Sequence, residues 1–229
     1  MRRCYRAIGA HLRPRGAAAP AAAPARSNDY HFITHWRVEG TVDEVAAILA
    51  DAPGLTRWWP SVYLDVRQLA PGDEQGIGRR IGLHTKGWLP YTLRWSFRVT
   101  ESRYPHGFTI RAEGDFDGRG SWTLAQDGPF TDLTYDWQIR ADKPILRALS
   151  FLLKPLFAAN HEWAMRGGEE SLKLELARRR ARDDAARALI PAPPGPTTAP
   201  PPALLAALLA GAGLLVVAAR RRAGRSAAP

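Results

Sequence analysis

Six runs of alternating apolar residues, joined by connections too short for a crossover, constrain this chain more than any other feature. They span Val62 to Leu69, Gly78 to Lys86, Tyr91 to Ser102, Phe108 to Gly114, Gly118 to Gln126 and Leu133 to Ala141. The separators, among them Pro71-Gly72-Asp73, Pro105-His106-Gly107 and Asp127-Gly128-Pro129, are made of residues that favour turns. A parallel connection needs a dozen or more residues, so consecutive runs pair as hairpins and the sheet is antiparallel. Leu93, Trp95, Phe97 and Val99 share one parity, as do Leu133, Tyr135, Trp137 and Ile139, while Arg94, Arg98, Asp136 and Arg140 take the other. The sheet therefore has one dry and one wet face.

A further strand precedes these, from Tyr30 to Glu39, with Phe32, Thr34, Trp36 and Val38 on its more apolar side and His31, Ile33, His35 and Arg37 opposite. Thr41 with Glu44 three residues on forms a capping box, which predicts a helix with a buried stripe of Val42, Val45, Ala46 and Leu49, ending around Ala50. Pro53-Gly54 then breaks the chain before Leu55-Thr56-Arg57-Trp58-Trp59-Pro60, a short turn or helix crowded with indole.

After the strands comes a long helical stretch from Asp142 to Arg182. Asp142 is placed to cap it and Pro144 suits a first turn. Pro155 removes an amide donor, which predicts a kink or a first helix ending near Leu153 and a second restarting near Leu156. In the second, Leu156, Asn160, Trp163, Gly167, Ser171 and Leu174 recur at helical spacing with Phe157, Ala164, Gly168 and Leu172 beside them; Glu162, Arg166, Glu169, Lys173 and Arg180 lie opposite. Each glycine of Gly167-Gly168 costs about 1 kcal/mol relative to alanine in a helix interior. The pair points to a close approach of another element or to space kept for a ligand, and both readings stay open.

This order of elements resembles the START-like helix-grip superfamily, in its polyketide cyclase/dehydrase and lipid-transport branch. The resemblance covers about Tyr30 to Ala181 and is carried by Leu55-Thr56-Arg57-Trp58-Trp59-Pro60-Ser61 and by Phe116-Asp117-Gly118-Arg119-Gly120 leading into the sixth strand of the chain, Gly118 to Gln126. It implies an α+β helix-grip fold, a curved antiparallel sheet of about seven strands wrapped on a long C-terminal helix, with a cavity between them for an apolar ligand. Functions in the family range from lipid carriage to aromatic ring closure, and no fixed catalytic motif transfers to particular residues.

The formal net charge of +10 invites a nucleic-acid reading, which its location removes. Six arginines lie in residues 1–28 and four in 220–229, both without acids, so the body balances 22 basic residues against 22 acidic ones. Nucleic acid is therefore not an expected partner. Residues 1–28 read as a disordered basic Ala/Pro-rich extension with no secretory signal, 29–182 as the folded domain and 183–202 as a Pro-rich linker. Ala203 to Ala219 is seventeen residues without a polar side chain, followed by the basic tail 220–229. Its six Leu and two Val favour membrane insertion by about 2 to 5 kcal/mol, so one C-terminal transmembrane helix is expected. With a tail of ten residues short enough to cross, the domain is expected on the cytoplasmic side of a single-pass anchor.

Cys4 is the only cysteine, and the histidines lack metal-ligand spacing, so no metal or cofactor is expected. Nucleotide loops and nucleophile elbows are absent. Among His84, His161, Asp136 and Glu113, His161 is the best acid–base candidate, because it sits in the apolar part of the closing helix. Most of the aromatic set packs the core. Expected at the cavity are Trp59, Trp88, Tyr91, Trp95, Trp122, Trp137, His161, Trp163 and Ala164, with Trp88 at the rim. Three functions fit: a membrane-tethered module binding a lipid or other hydrophobic small molecule, a cyclase/aromatase-like enzyme, or a partner-binding domain with a filled core.

Overall fold

A computed structural model describes residues 29–141 and 144–197, with the backbone alone for 141 and 144–153. The strands are β1 (Asp29–Glu39), β2 (Tyr63–Ala70), β3 (Arg80–Lys86), β4 (Thr92–Ser102), β5 (Gly107–Gly114), β6 (Phe116–Asp127) and β7 (Phe130–Ala141). They form one antiparallel sheet in the order β1-β7-β6-β5-β4-β3-β2, so the meander from β2 to β7 is completed by the first strand pairing with the last. Short connections force this arrangement. The β6–β7 turn is only Gly128-Pro129, with Gly128 at φ 57°, which extends both strands beyond the expected Gln126 and Leu133.

Between β1 and β2 lie α1 (Val42–Leu49), a 3₁₀ turn (Ala52–Gly54) and α2 (Leu55–Trp58). The capping box is present: Thr41 accepts from the Glu44 amide, and Glu44 accepts from the Thr41 amide at 2.9 Å. The same carboxylate takes two bonds from Arg180, at 2.7 and 2.8 Å, fastening α1 to the end of the closing helix. Arg180, with the Thr41 amide, pulls the Glu44 carboxyl down to about 2. The buried residues of α1 are Val42, Val45, Ala46 and Ile48, with Leu49 only half-buried.

The closing helix, α3, runs unbroken from Pro144 to Arg180. Of the two expected outcomes at Pro155, a first helix ending near Leu153 does not occur: the proline lies inside one helix. Proline forfeits one helical hydrogen bond, a cost of about 3 kcal/mol, and packing of α3 on β1, α1 and α2 offsets it. The inward stripe is also rotated from the expected one: Met165, Gly168, Ser171, Leu172, Glu175 and Leu176 are buried, while Trp163, Gly167 and Leu174 flank them half-exposed. The smallest residue decides the rotation. A Cβ on Gly168 would lie 2.3 Å from the Trp59 ring, so the indole sits directly on the helix backbone there. Close packing, rather than an empty gap, explains this glycine.

Glu175, 3% exposed, is held by Arg179 at 2.9 Å and Arg57 at 3.0 Å, and Asp51 meets the same two arginines at 3.2 Å. This balanced cluster ties α2 to α3. Beyond it, Asp183 caps a short helix α4 (Asp184–Ala188), and the residues expected as the start of a spacer fold back on the domain. Arg178 donates to the Pro191 carbonyl, Lys86 to that of Thr197, and the Thr197 hydroxyl to the Gly87 carbonyl at 3.2 Å. The expected transmembrane segment, Ala203 to Ala219, the basic extension 1–28, the tail 220–229 and the cap Asp142 lie outside the described residues. Among those described, no helix is long and apolar enough to cross a membrane.

The two neighbouring glycines predict opposite responses. Gly168→Ala should lower stability by about 1 to 2 kcal/mol, because overpacking against Trp59 outweighs the gain in helix propensity. Gly167→Ala, whose added methyl meets only the Ser61 hydroxyl at 3.5 Å, should be neutral or stabilising by up to about 1 kcal/mol. Urea midpoints of the two variants, read at unchanged slope, check the difference in sign.

Candidate functional site

The inward parity of β4 is not packed like that of β7. Leu133, Tyr135, Trp137 and Ile139 are buried, whereas Trp95, Phe97 and Val99 remain half-exposed although they point the same way. They face a cavity. It has two lobes: a larger one of about 690 Å³ beneath α1, α2 and the β2–β3 and β4–β5 turns, and a smaller one of about 150 Å³ between β1, the β3–β4 connection and α3. Trp59, Tyr63, Trp95, Tyr135 and Met165 border both, forming a waist between them. A cavity of several hundred Å³ with predominantly apolar walls is the usual form of a small-molecule site.

Aromatic contacts build the wall continuously. Trp36 packs on Trp59 at 5.6 Å and on Trp122 at 5.0 Å; Trp122 stacks on Tyr135 at 4.3 Å, and Tyr135 stacks on Trp137 at 5.6 Å. Trp95 then bridges Trp137 at 5.7 Å and Phe116 at 5.6 Å. Each such pair contributes about 0.5 to 1.5 kcal/mol beyond its burial, so the wall is stiff. Trp95 also donates from Nε1 to the Thr85 hydroxyl at 3.0 Å, which fixes its ring across two strands. Burial holds the Tyr63 and Tyr135 phenols above their usual range, and for Tyr135 the neighbouring Tyr63 adds to it.

Of the residues expected at the cavity, Trp59, Trp95 and Trp122 border the larger lobe, and Trp59, Tyr91, Trp95, Trp137, His161 and Ala164 the smaller. Trp88 and Trp163 border neither: both are half-buried. The β3–β4 connection is pinned by Asn160, whose side-chain oxygen accepts from the Trp88 amide at 2.9 Å and the Leu89 amide at 3.2 Å. Gly87 leaves room for that amide, since a Cβ would lie 2.2 Å from it.

His161 stacks on Phe32 with ring centroids 4.2 Å apart, and its Nε2 is buried with no hydrogen-bond partner. Burial pulls its pKa down to about 4, so the imidazole facing the smaller lobe is neutral at pH 7. The other acid–base candidates stand elsewhere. Asp136 bonds His31 at 3.0 Å and Glu113 meets Arg80 at 3.5 Å, all on the outer face, and His84 lies on that parity too. The arrangement offers a ligand apolar contact and a few hydrogen bonds, with no carboxylate among the described residues that line the smaller lobe.

Sequence reasoning missed Tyr63, Met165 and Phe157. Tyr63 opens β2, where no alternation had yet been established, and Met165 was displaced by the rotation of α3. Arg79, also on the wall of the larger lobe, was legible: it shares parity with Ile81, Leu83 and Thr85 in a run expected to begin at Gly78.

The architecture has relatives among solved structures. A protein of Thermus thermophilus is 19% identical, with TM-score 0.50 over 62% of this chain and 97% of its own. The Zhui aromatase/cyclase of a Streptomyces species is 20% identical, with TM-score 0.52 over 66% of this chain and 95% of its own. A STAR-related lipid transfer protein from Xanthomonas axonopodis is more distant, at TM-score 0.43 and 20% identity over 64% of this chain and 85% of its own. At these identities the likeness concerns the fold alone. No functionally curated protein matches the chain. The family model described as polyketide cyclase / dehydrase and lipid transport matches residues 33–177, and the chain belongs to that family.

Proposed function

We propose that this protein is a membrane-tethered binding module that takes up a lipid or other hydrophobic small molecule between its sheet and α3. The observation that carries the reading is the half-exposed inward row Trp95, Phe97 and Val99: apolar side chains turned toward the domain interior, with cavity in front of them. Leaving such surface uncovered forfeits about 25 cal/mol per Å², which an apolar ligand restores. Family membership supports the reading from an independent side. The tether is the apolar run Ala203 to Ala219, with the domain on the cytoplasmic side; the chain is last described at Thr197, docked on Gly87 beside the smaller lobe. Alkaline extraction of membranes should leave the full-length protein in the pellet and release a form truncated after Thr197; release of both contradicts the tether.

The binding reading is favoured over an enzymatic one by His161, which stays neutral through the ordinary pH range and has no acidic companion on the wall. Its task is to hydrogen-bond a ligand oxygen. Because its folded pKa of about 4 lies below the ordinary imidazole value of 6.5, the unfolded chain binds more protons between these limits, and this residue removes stability as pH falls from 6.5 toward 4. His161→Leu should flatten the pH dependence of the unfolding free energy in that window. An unchanged slope contradicts the assignment.

Ala164 borders the smaller lobe with Phe157 and His161. Ala164→Trp should fill that lobe of about 150 Å³ and weaken binding of a fluorescent fatty-acyl probe at least about tenfold while leaving the circular dichroism spectrum in place. Unaltered probe affinity in a folded variant would remove the smaller lobe from the site.

A further inference from the structure

The inward row of β3 reads Thr85, Leu83 and Ile81, and Arg79, the residue just before the strand, continues it in parity. Thr85, Leu83 and Ile81 pair with Leu93, Trp95 and Phe97, and the row continues as the Arg79 carbonyl accepts from the Val99 amide at 2.9 Å. An apolar row thus ends on a cation that forms part of the wall of the larger lobe. Arg79 is half-buried as a residue, its guanidinium donating from Nε to the Pro71 carbonyl at 3.3 Å and from Nη1 to the Ala50 carbonyl at 3.0 Å. These bonds fix its plane and use two of its five N–H groups. No carboxylate among the described residues lies within ion-pair distance of it.

Its neighbours on the same wall differ. Arg103 is already matched by Glu101 at 3.3 Å, and Glu74 is exposed, where water screens its charge. A guanidinium held in place on the wall of an aromatic-lined cavity, with no counter-charge among the described residues, is an incomplete arrangement, because a positioned cation gains from a paired anion.

Building on the binding reading above, we propose that the ligand is an amphiphile bearing a carboxylate, its head group paired with Arg79 and its apolar body running through the larger lobe into the smaller one. The remaining N–H groups on a positioned fork suit a carboxylate better than a hydroxyl or an ester.

The test compares dodecanoic acid with 1-dodecanol at pH 8 on the full-length protein, by displacement of a fluorescent apolar probe. Wild type should bind the acid about tenfold more tightly than the alcohol. Arg79→Gln should abolish that preference by weakening the acid alone, Arg79→Lys should retain part of it, and Arg98→Gln, at an exposed position on the outer face of β4, should leave it intact. Equal affinities in wild type overturn the proposal and leave the apolar site standing. So does an Arg79→Gln variant that loses acid and alcohol by the same factor, the result expected if Arg79 only braces the turns. Failure of both ligands to displace the probe defeats the cavity reading and this proposal together.

Discussion

One helix is too narrow for the sheet it closes. Seven strands spaced about 4.8 Å apart span roughly 29 Å from edge to edge when flat, whereas a helix with its side chains is about 10 to 12 Å across. Curling the sheet and adding α1 and α2 narrow the difference without removing it. α3 packs on β1, α1 and α2, so the inward face of β4, with Phe108 of β5, is left partly uncovered. The cavity is a consequence of this geometry, and the aromatic residues around it are what the uncovered area is made of.

Where α3 does meet the rest of the domain, the contact is close and specific. Trp59 lies against Gly168, Glu175 is enclosed by Arg57 and Arg179, and Arg180 grips the carboxylate that also caps α1. These contacts fall along the second half of the helix. Toward its first half, Phe157, Asn160, His161 and Ala164 face the smaller lobe, so one element supplies both the firm seat and part of the ligand wall. Trp59 belongs to both regions: it packs on the helix and borders both lobes.

Much of this was legible before any coordinates. Alternation and short turns determine an antiparallel meander, and the parity of Trp95 and Trp137 places both on the inner face. The capping box announced α1 by local chemistry alone. What local patterns do not carry is the rotation of a helix about its own axis when small and large residues compete for the inner face. Hence Trp163 was expected inward while Met165 took that place, and Pro155 was read by its local cost rather than by the packing that overrides it. At Trp88 the sequence showed a hairpin tip, but not that Asn160, seventy-two residues away, pins its backbone to the helix. Arg79 stood in plain view just before β3, in parity with its inner row, and only the absence of a nearby carboxylate among the described residues gives it significance.

The central claim is that the uncovered inner face exists to be covered by an apolar guest. Native mass spectrometry of the full-length protein, after solvent extraction and renewed incubation with a mixed lipid extract, tests it directly. The account predicts a discrete adduct of one small hydrophobic molecule per chain that disappears on extraction and returns on incubation. A bare protein mass under both conditions, from a sample whose circular dichroism shows the fold intact, would contradict it.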